Sequence, residues 1–97
     1  MRAPRDLRWM QLFRLRVYTP ERELVDTEVR EVTAQGALGE IGVLADHAAM
    51  VTALEPGTLT YRESTRMVRL ALGAGFAEVR DNLMTVLADS GEVLTPP

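Results

Sequence analysis

The chain has 97 residues and a formal net charge of −3, and it contains neither cysteine nor lysine. A chain of this length forms one domain around a single modest core, and without cysteine it has no disulfides and no thiolate chemistry. Without lysine it has no P-loop, no Schiff base and no lipoyl or biotinyl attachment site. Its mild acidity argues against binding nucleic acid, which requires a basic face.

Arginines dominate the first part of the chain. Only Asp6 opposes five of them, which are Arg2, Arg5, Arg8, Arg14 and Arg16. We predict that residues 1–11 form a flexible, solvated arm, and the alternative is an arm that contacts an acidic partner or anionic lipid head groups. No apolar run has the length of a transmembrane helix, and the start lacks the apolar region of a secretory signal, so we expect a soluble chain.

Two runs of alternating apolar residues follow this arm. The first, from Gln11 to Tyr18, has the period of a half-buried strand. The second, from Leu24 to Ala34, changes phase near Arg30, because its valines fall on one face before that residue and on the other face after it. A slip of one residue would turn an apolar set outward, so we predict a β-bulge at Arg30 or Glu31.

A glycine-rich segment spans residues 36–57. Gly36, Gly39 and Gly42 permit positive φ, so we predict a compact looping crossover between strands rather than another regular strand. A valine at position 42 is therefore expected to destabilise the fold. The segment closes at Pro56-Gly57, whose chemistry is typical of a type II turn.

The rest of the chain reads as short strands. The run from 48 to 54 is too short to be assigned as a helix, and strands are predicted at 58–62, 68–72, 77–79 and 83–88. Gly73-Ala74-Gly75 breaks one run, and Asp81-Asn82 supplies a hairpin turn. Residues 93–97 should fray, because the closing prolines support neither a ladder nor a helix. The pattern predicts an all-β fold, an antiparallel β-sandwich or flattened barrel.

Candidate catalytic and metal-binding groups are few. His47 is the only imidazole and has no cysteine or lysine to activate, so we predict no catalytic residues. Glu40 and Asp46 with one histidine lack the paired ligand spacing of zinc sites, so no metal or cofactor is predicted. From its chemistry alone, His47 is a hydrogen-bonding loop residue, a partner contact or a proton carrier.

The glycine segment carries a family resemblance. The ordered series consists of Gly39-Glu40-Ile41-Gly42-Val43-Leu44, His47-Ala48 and Leu54-Glu55-Pro56-Gly57. It resembles the epsilon subunit of F-type ATP synthases, and the similarity extends from Leu12 to Glu92. Ala45 and Ala49 replace prolines usual in that family, and Ala74 replaces the first glycine of a pair.

The resemblance implies a ten-stranded β-sandwich over residues 12–92 and a non-catalytic rotor subunit that links the gamma subunit to the c ring of a proton-translocating bacterial enzyme. It further implies c-ring contacts at Gly39, Glu40 and Ile41 and gamma contacts at His47 and Ala48. Gly36, Gly42, Pro56, Gly57 and Gly75 would shape the turns. The expected location is peripheral, on the cytoplasmic face of the inner membrane, with neither nucleic acid nor a small-molecule substrate as partner.

Two further expectations complete this interpretation. Epsilon subunits usually continue into a two-helix hairpin, and since no amphipathic pattern follows Asp89, no such hairpin is expected within this chain. The alternative function is a stand-alone ligand-binding β-sandwich, which needs aromatics that converge on a concave site. The aromatics are instead scattered along the chain, at Trp9, Phe13, Tyr18, Tyr61 and Phe76.

Overall fold

The computed structural model describes residues 7–94. A short 3₁₀ helix (Arg8–Met10) precedes ten strands, which are β1 (Phe13–Tyr18), β2 (Glu23–Val29), β3 (Glu31–Gly36), β4 (Gly39–Val43), β5 (Met50–Leu54), β6 (Gly57–Arg62), β7 (Met67–Leu72), β8 (Gly75–Arg80), β9 (Leu83–Ala88) and β10 (Gly91–Val93). The predicted all-β class with about ten short strands is therefore confirmed.

The strands form one curled sheet in the order β10-β7-β6-β3-β5-β8-β9-β1-β2, with β4 paired to β3 alone. The two ends of this order approach each other where Leu24 of β2 lies beside Gly91 of β10. The sheet is thus a nearly closed, flattened barrel with two layers. All pairings are antiparallel except that of β1 with β9, which is parallel. These two strands belong to separate hairpins far apart in the chain, so no tight turn imposes an antiparallel direction on them.

Alternating apolar side chains fill the space between the layers. In β1, Phe13, Leu15 and Val17 are buried while the intervening residues are not, as the period of two requires. The largest fully buried side chains are Leu15, Leu59, Leu70, Met84, Val17, Val29, Val32, Val43 and Val86. Apart from Tyr61, which carries a phenol, no polar or charged side chain of residues 7–94 is buried, so the hydrophobic effect dominates the stability of this core.

The phase change near Arg30 is a bend between two strands, and the predicted β-bulge is wrong. β2 ends at Val29 and β3 begins at Glu31, and the N–H of Arg30 donates to the carbonyl of Arg62 at 2.8 Å. The chain turns there from one layer into the other, so a new strand begins with its own phase. The irregularity in the β1–β2 ladder lies instead between Val17 and Tyr18.

The glycine segment contains two strands, so the predicted looping crossover is wrong. Gly42 lies within β4 opposite Thr33, and a β-carbon added to it would meet nothing within 4 Å. Gly57 is the first residue of β6, and among the described glycines only Gly39 has a positive φ, of 124°. The type II turn and the positive φ at Gly42 are therefore also wrong. Gly42 pairs with Thr33 of β3 and Gly57 with Leu72 of β7, and this strand pairing overrides the glycine propensity.

The hairpin at Asp81-Asn82 is confirmed. Both residues have positive φ, of 52° and 59°, as the two central residues of a type I′ turn require.

Parts of both predicted terminal segments lie within the described residues. β10 pairs Val93 with Leu70, and the N–H of Leu94 donates to the carbonyl of Arg69 at 2.8 Å. Val93 and Leu94, the first two residues of the tail predicted to fray, are thus joined to β7 by backbone pairing. Of the predicted flexible arm, residues 7–11 are described and include the 3₁₀ helix. Residues 1–6 and 95–97 lie outside the described range.

Candidate partner-contact surfaces

The hairpin between β3 and β4 projects an apolar and an acidic residue. Leu38, in its two-residue turn, is completely exposed, and Glu40 is exposed opposite Gln35. The N–H of Ala37 donates to the carbonyl of Ala53 at 3.1 Å, which ties the turn to β5. The hairpin is therefore a fixed protrusion, and it contains the predicted c-ring contacts.

The three predicted c-ring contacts differ in exposure. Gly39 and Glu40 are exposed, whereas Ile41 is only partly so and packs against the core. A β-carbon on Gly36 would lie 3.1 Å from the Cγ2 atom of Ile41. Ile41 thus supports the hairpin from within, while Leu38, which sequence reasoning did not single out, occupies the most exposed position.

The loop between β4 and β5 carries His47 and Ala48. Ala48 is exposed and His47 partly so. The N–H of His47 donates to the carbonyl of Leu44 at 3.3 Å, and its Nδ1 lies 2.7 Å from the carbonyl oxygen of Ala48. These local contacts hold the partly exposed imidazole in one orientation at the surface.

This loop is fastened to the hairpin between β8 and β9. The N–H of Asp46 donates to Oδ1 of Asn82 at 2.6 Å, and Nδ2 of Asn82 donates to Oδ1 of Asp46 at 3.0 Å. The carbonyl of Asn82 also accepts from the N–H of Arg14 at 2.9 Å. Asn82 therefore joins three segments, and it holds the His47 loop in place.

The structure does not bring the two predicted contact sets together. β4 carries the chain from Gly39 to Val43, a rise of about 13 Å at roughly 3.3 Å per residue. Glu40 lies near the start of this strand and His47 lies beyond its end. The Glu40 hairpin and the His47 loop are thus at opposite ends of the barrel, and β5 connects them along one side.

A row of apolar side chains crosses the outer face of the second layer. Ala53 of β5 pairs with Phe76 of β8, Phe76 pairs with Leu87 of β9, and Leu87 pairs with Tyr18 of β1. Phe76 is 60% exposed and Leu87 56%, and Val51, on the same face of β5, is 71% exposed. Exposed large apolar side chains grouped in this way mark interaction sites. We define Val51, Ala53, Phe76, Leu87 and Tyr18 as the apolar row.

Ion pairs occupy the same face beyond the apolar row. The Nε of Arg14 lies 2.6 Å from Oδ1 of Asp26, and the Nε of Arg16 lies 3.4 Å from the same oxygen. The hydrogen bond from Arg14 holds the pKa of Asp26 below its usual value, and the same bond raises the pKa of Arg14. The outer face is thus divided into an apolar part and a charged part.

The predicted turn residues have different surroundings. Gly75 begins β8, where a β-carbon would overlap the carbonyl oxygen of Leu87, so only glycine fits. Gly36 is buried at the end of β3, where a β-carbon would lie 3.0 Å from the carbonyl oxygen of Gly39. Pro56 lies in the exposed bend between β5 and β6, directly before Gly57.

Within residues 7–94, no group of three histidine or acidic side chains is placed to hold a metal ion. The same range contains no helix with the length and apolarity to cross a membrane. The aromatics do not converge, because Phe13 and Tyr61 are buried, Tyr18 and Phe76 belong to the apolar row, and Trp9 lies elsewhere.

Comparison with known proteins gives a match over residues 12–93 to the family described as "ATP synthase, Delta/Epsilon chain, beta-sandwich domain". The chain belongs to this family. The resemblance of residues 12–92 to epsilon subunits is thereby confirmed, although the motif that carries it contains two strands that the sequence did not reveal.

Relatives named "ATP synthase epsilon chain" include two bacterial proteins. The Geobacter sulfurreducens protein is 47% identical over 74 residues, which cover 76% of this chain and 54% of the relative. The protein of Anaeromyxobacter sp. (strain Fw109-5) is 46% identical over 78 residues, covering 80% of this chain and 59% of the relative. The chain therefore spans a little over half the length of these relatives.

The solved structures that share the fold include two ATP synthase assemblies. A chain in the mitochondrial ATP synthase of Euglena gracilis, solved as an OSCP/F1/c-ring assembly, aligns with a TM-score of 0.79 and 26% identity, covering 84% of this chain and 53% of that chain. A chain in the central stalk/c-ring structure from Tetrahymena thermophila aligns with a TM-score of 0.73 at 18% identity, covering 84% and 66% respectively. The second similarity concerns the fold alone.

Proposed function

We propose that this chain is the β-sandwich part of a non-catalytic central-stalk subunit in a proton-translocating bacterial F-type ATP synthase. It links the gamma subunit to the c ring and couples proton flow to ATP synthesis. The family match over residues 12–93 carries this proposal. The Euglena neighbour, which belongs to an F1/c-ring assembly, gives it further support.

The gamma subunit occupies the side of the barrel that contains the His47 loop and the apolar row. β5 joins the two, because the loop ends directly before Met50 and the row includes Val51 and Ala53. An apolar centre bordered by the Arg14–Asp26 pair has the composition of a protein–protein interface, in which a polar rim surrounds apolar side chains. His47 and Ala48 contact gamma at one end of this surface.

The c ring meets the β3–β4 hairpin. Leu38 inserts between the polar loops of the ring, and the carboxylate of Glu40 accepts hydrogen bonds from them. The hairpin is held to β5 by the Ala37–Ala53 hydrogen bond, so a force at its turn reaches the barrel directly. A close-packed barrel resists deformation, and this rigidity is what a coupling subunit requires.

These partners place the chain at the cytoplasmic face of the inner membrane as a peripheral component. Its attachment to the membrane is indirect, through the ring and gamma.

Disulfide crosslinking in the assembled enzyme tests the proposal. With a second cysteine in the polar loop of the c subunit, Glu40→Cys should crosslink under mild oxidation. Glu28→Cys is the matched control, because Glu28 is also an exposed acid. It lies opposite Arg14 in the β1–β2 ladder, at the end of the barrel away from the β3–β4 hairpin. Equal crosslinking at both positions, or crosslinking at position 28 alone, would refute the proposed orientation.

A further inference from the structure

A cleft of about 490 Å³ opens beside the 3₁₀ helix, away from the apolar row and the Glu40 hairpin. Its walls are Trp9 and Met10 of the helix, Arg30 and Glu31 where β2 bends into β3, and Arg62 and Ser64 at the end of β6. The N–H of Arg30 donates to the carbonyl of Arg62 at 2.8 Å, which joins two of these lining segments. The volume lies within the usual range for binding pockets.

Two guanidinium groups of the cleft have N–H donors that could bind an anion. Arg30 donates one bond, from Nη1 to the carbonyl of Met10 at 2.8 Å, and Nη2 of Arg62 lies 3.2 Å from the sulfur of Met67. Thioether sulfur is a weak acceptor. Within residues 7–94, neither arginine forms one of the ion pairs that Arg14, Arg16, Arg66 and Arg80 form. A carboxylate in the cleft would therefore find donors that are not already committed to another anion.

The other side chains of the cleft favour an apolar contact beside that anion. Trp9 is 57% exposed and Met10 52% exposed. Tryptophan, methionine and arginine are the residues enriched at protein–protein interfaces, and tryptophan and arginine also carry much of the binding energy there. All three types line this one cleft.

We propose that the cleft binds an extended peptide segment of a partner protein that combines an acidic residue with an apolar one. The carboxylate pairs with Arg62 and Arg30, and the apolar side chain packs on Trp9 and Met10. Free phosphate would use only the arginines and leave the apolar wall unfilled. Glu31, which lies opposite Arg62 in the β3–β6 ladder, lines the same cleft. It repels any anion, so the cleft suits a carboxylate that brings an apolar neighbour better than the dense array of charges of an anionic membrane surface.

This site is independent of the proposed gamma and c-ring contacts. Trp9 is the only tryptophan of the chain, so its fluorescence reports the cleft directly. The probe is an acetylated, amidated hexapeptide of alternating glutamate and leucine, titrated into the full chain at low salt. The same peptide with glutamine in place of glutamate, inorganic phosphate and vesicles of phosphatidylglycerol are titrated separately.

We expect a saturable change in Trp9 fluorescence with the acidic peptide, weakened by added salt because the contact is charged. Arg62→Gln should raise the dissociation constant about tenfold, as loss of one charge-assisted bond does. Arg80→Gln is the matched control, since it removes the same charge from β8, outside the cleft, and should leave binding unchanged.

Three outcomes would overturn the proposal. One is the absence of saturation up to about 1 mM peptide, the weakest affinity worth assigning to a site. Another is binding of phosphate or of vesicles with the same affinity as the acidic peptide, which would make the cleft a general anion site. The third is equal weakening by Arg62→Gln and Arg80→Gln, which would reflect net charge rather than the cleft.

Discussion

Asp46 and Asn82 exchange two hydrogen bonds, of 2.6 and 3.0 Å, between loops that lie 36 positions apart in the sequence. Both residues have positive φ, of 60° and 59°. Asparagine and aspartate tolerate this conformation better than other residues with a β-carbon. The pair therefore fastens the His47 loop to the β8–β9 hairpin, using backbone shapes that few other side chains accept.

Asn82→Ala should lower the free energy of unfolding by about 2 kcal/mol, because it removes both bonds and leaves alanine at positive φ. Asn82→Gly removes the same bonds, but glycine adopts positive φ without strain, so this variant should lower the free energy of unfolding by about 1 kcal/mol. Urea unfolding of the two variants measures the difference. Asp81→Ala is the control for alanine at positive φ, since Asp81 takes no part in the Asp46–Asn82 pair and loses only an exposed contact of 3.7 Å with Arg80. Equal stability of Asn82→Gly and the unchanged chain would show that the bonds contribute nothing.

Gly42→Val and Gly75→Ala should have opposite effects on stability. Valine at position 42 enters open space in an exposed part of β4, where a β-branched residue is favoured, so stability should stay equal or rise by up to about 1 kcal/mol. Alanine at position 75 collides with the backbone of Leu87 and should cost about 1–3 kcal/mol. Melting temperatures of the two variants measure these effects. A lower melting temperature for Gly42→Val would contradict the prediction and would support the positive φ at position 42 that the sequence suggested.

The sequence predicted those parts of the fold that depend on local alternation. In β1, the alternation of Phe13, Leu15 and Val17 with arginines sets the buried face without reference to any partner strand. The Asp81-Asn82 turn is likewise local, since the two residues themselves supply the positive φ. Both predictions are confirmed because the physics they use acts over a few residues.

The remaining features depend on contacts between distant residues. β4 escaped prediction because its glycines have little intrinsic strand propensity, and its conformation comes from pairing with β3. The apolar row was missed for a similar reason. Phe76, Leu87 and Tyr18 belong to three different strands, and only the registers of β8, β9 and β1 place them side by side.

Stability should fall at alkaline pH because of Tyr61. Burial, and next the charge of Glu63, raise the pKa of its phenol above the usual value of 10.0, although Arg66 opposes the shift. Below about pH 10 the phenol is protonated in both states and has no effect. Above that pH the unfolded chain loses the proton first, so the free energy of unfolding declines as the pH rises toward the folded pKa.

Tyr61→Phe should remove much of this decline, as measured by urea unfolding between about pH 9 and pH 12. The experiment is unusually clean because the chain has no lysine or cysteine, and its only other tyrosine is Tyr18. Tyr18→Phe is the matched control, because Tyr18 lies half-buried on the outer face. If the alkaline decline in stability persists in Tyr61→Phe and vanishes in Tyr18→Phe, it is not caused by Tyr61, and the prediction is wrong.

Phe76→Ser should separate binding from folding at the apolar row. The side chain is 60% exposed, so its loss should change the free energy of unfolding by no more than about 0.5 kcal/mol. If the row is the centre of the gamma interface, the same change should weaken gamma binding by about 2 kcal/mol, or roughly 30-fold, as loss of a central aromatic does. Met67→Ser is the control, because Met67 is 45% exposed on β7, outside the row. Titration calorimetry with purified gamma and urea unfolding supply the two quantities. A gamma affinity that Phe76→Ser leaves intact, or that Met67→Ser lowers equally, would remove the apolar row from the interface and leave the His47 loop as the sole proposed contact.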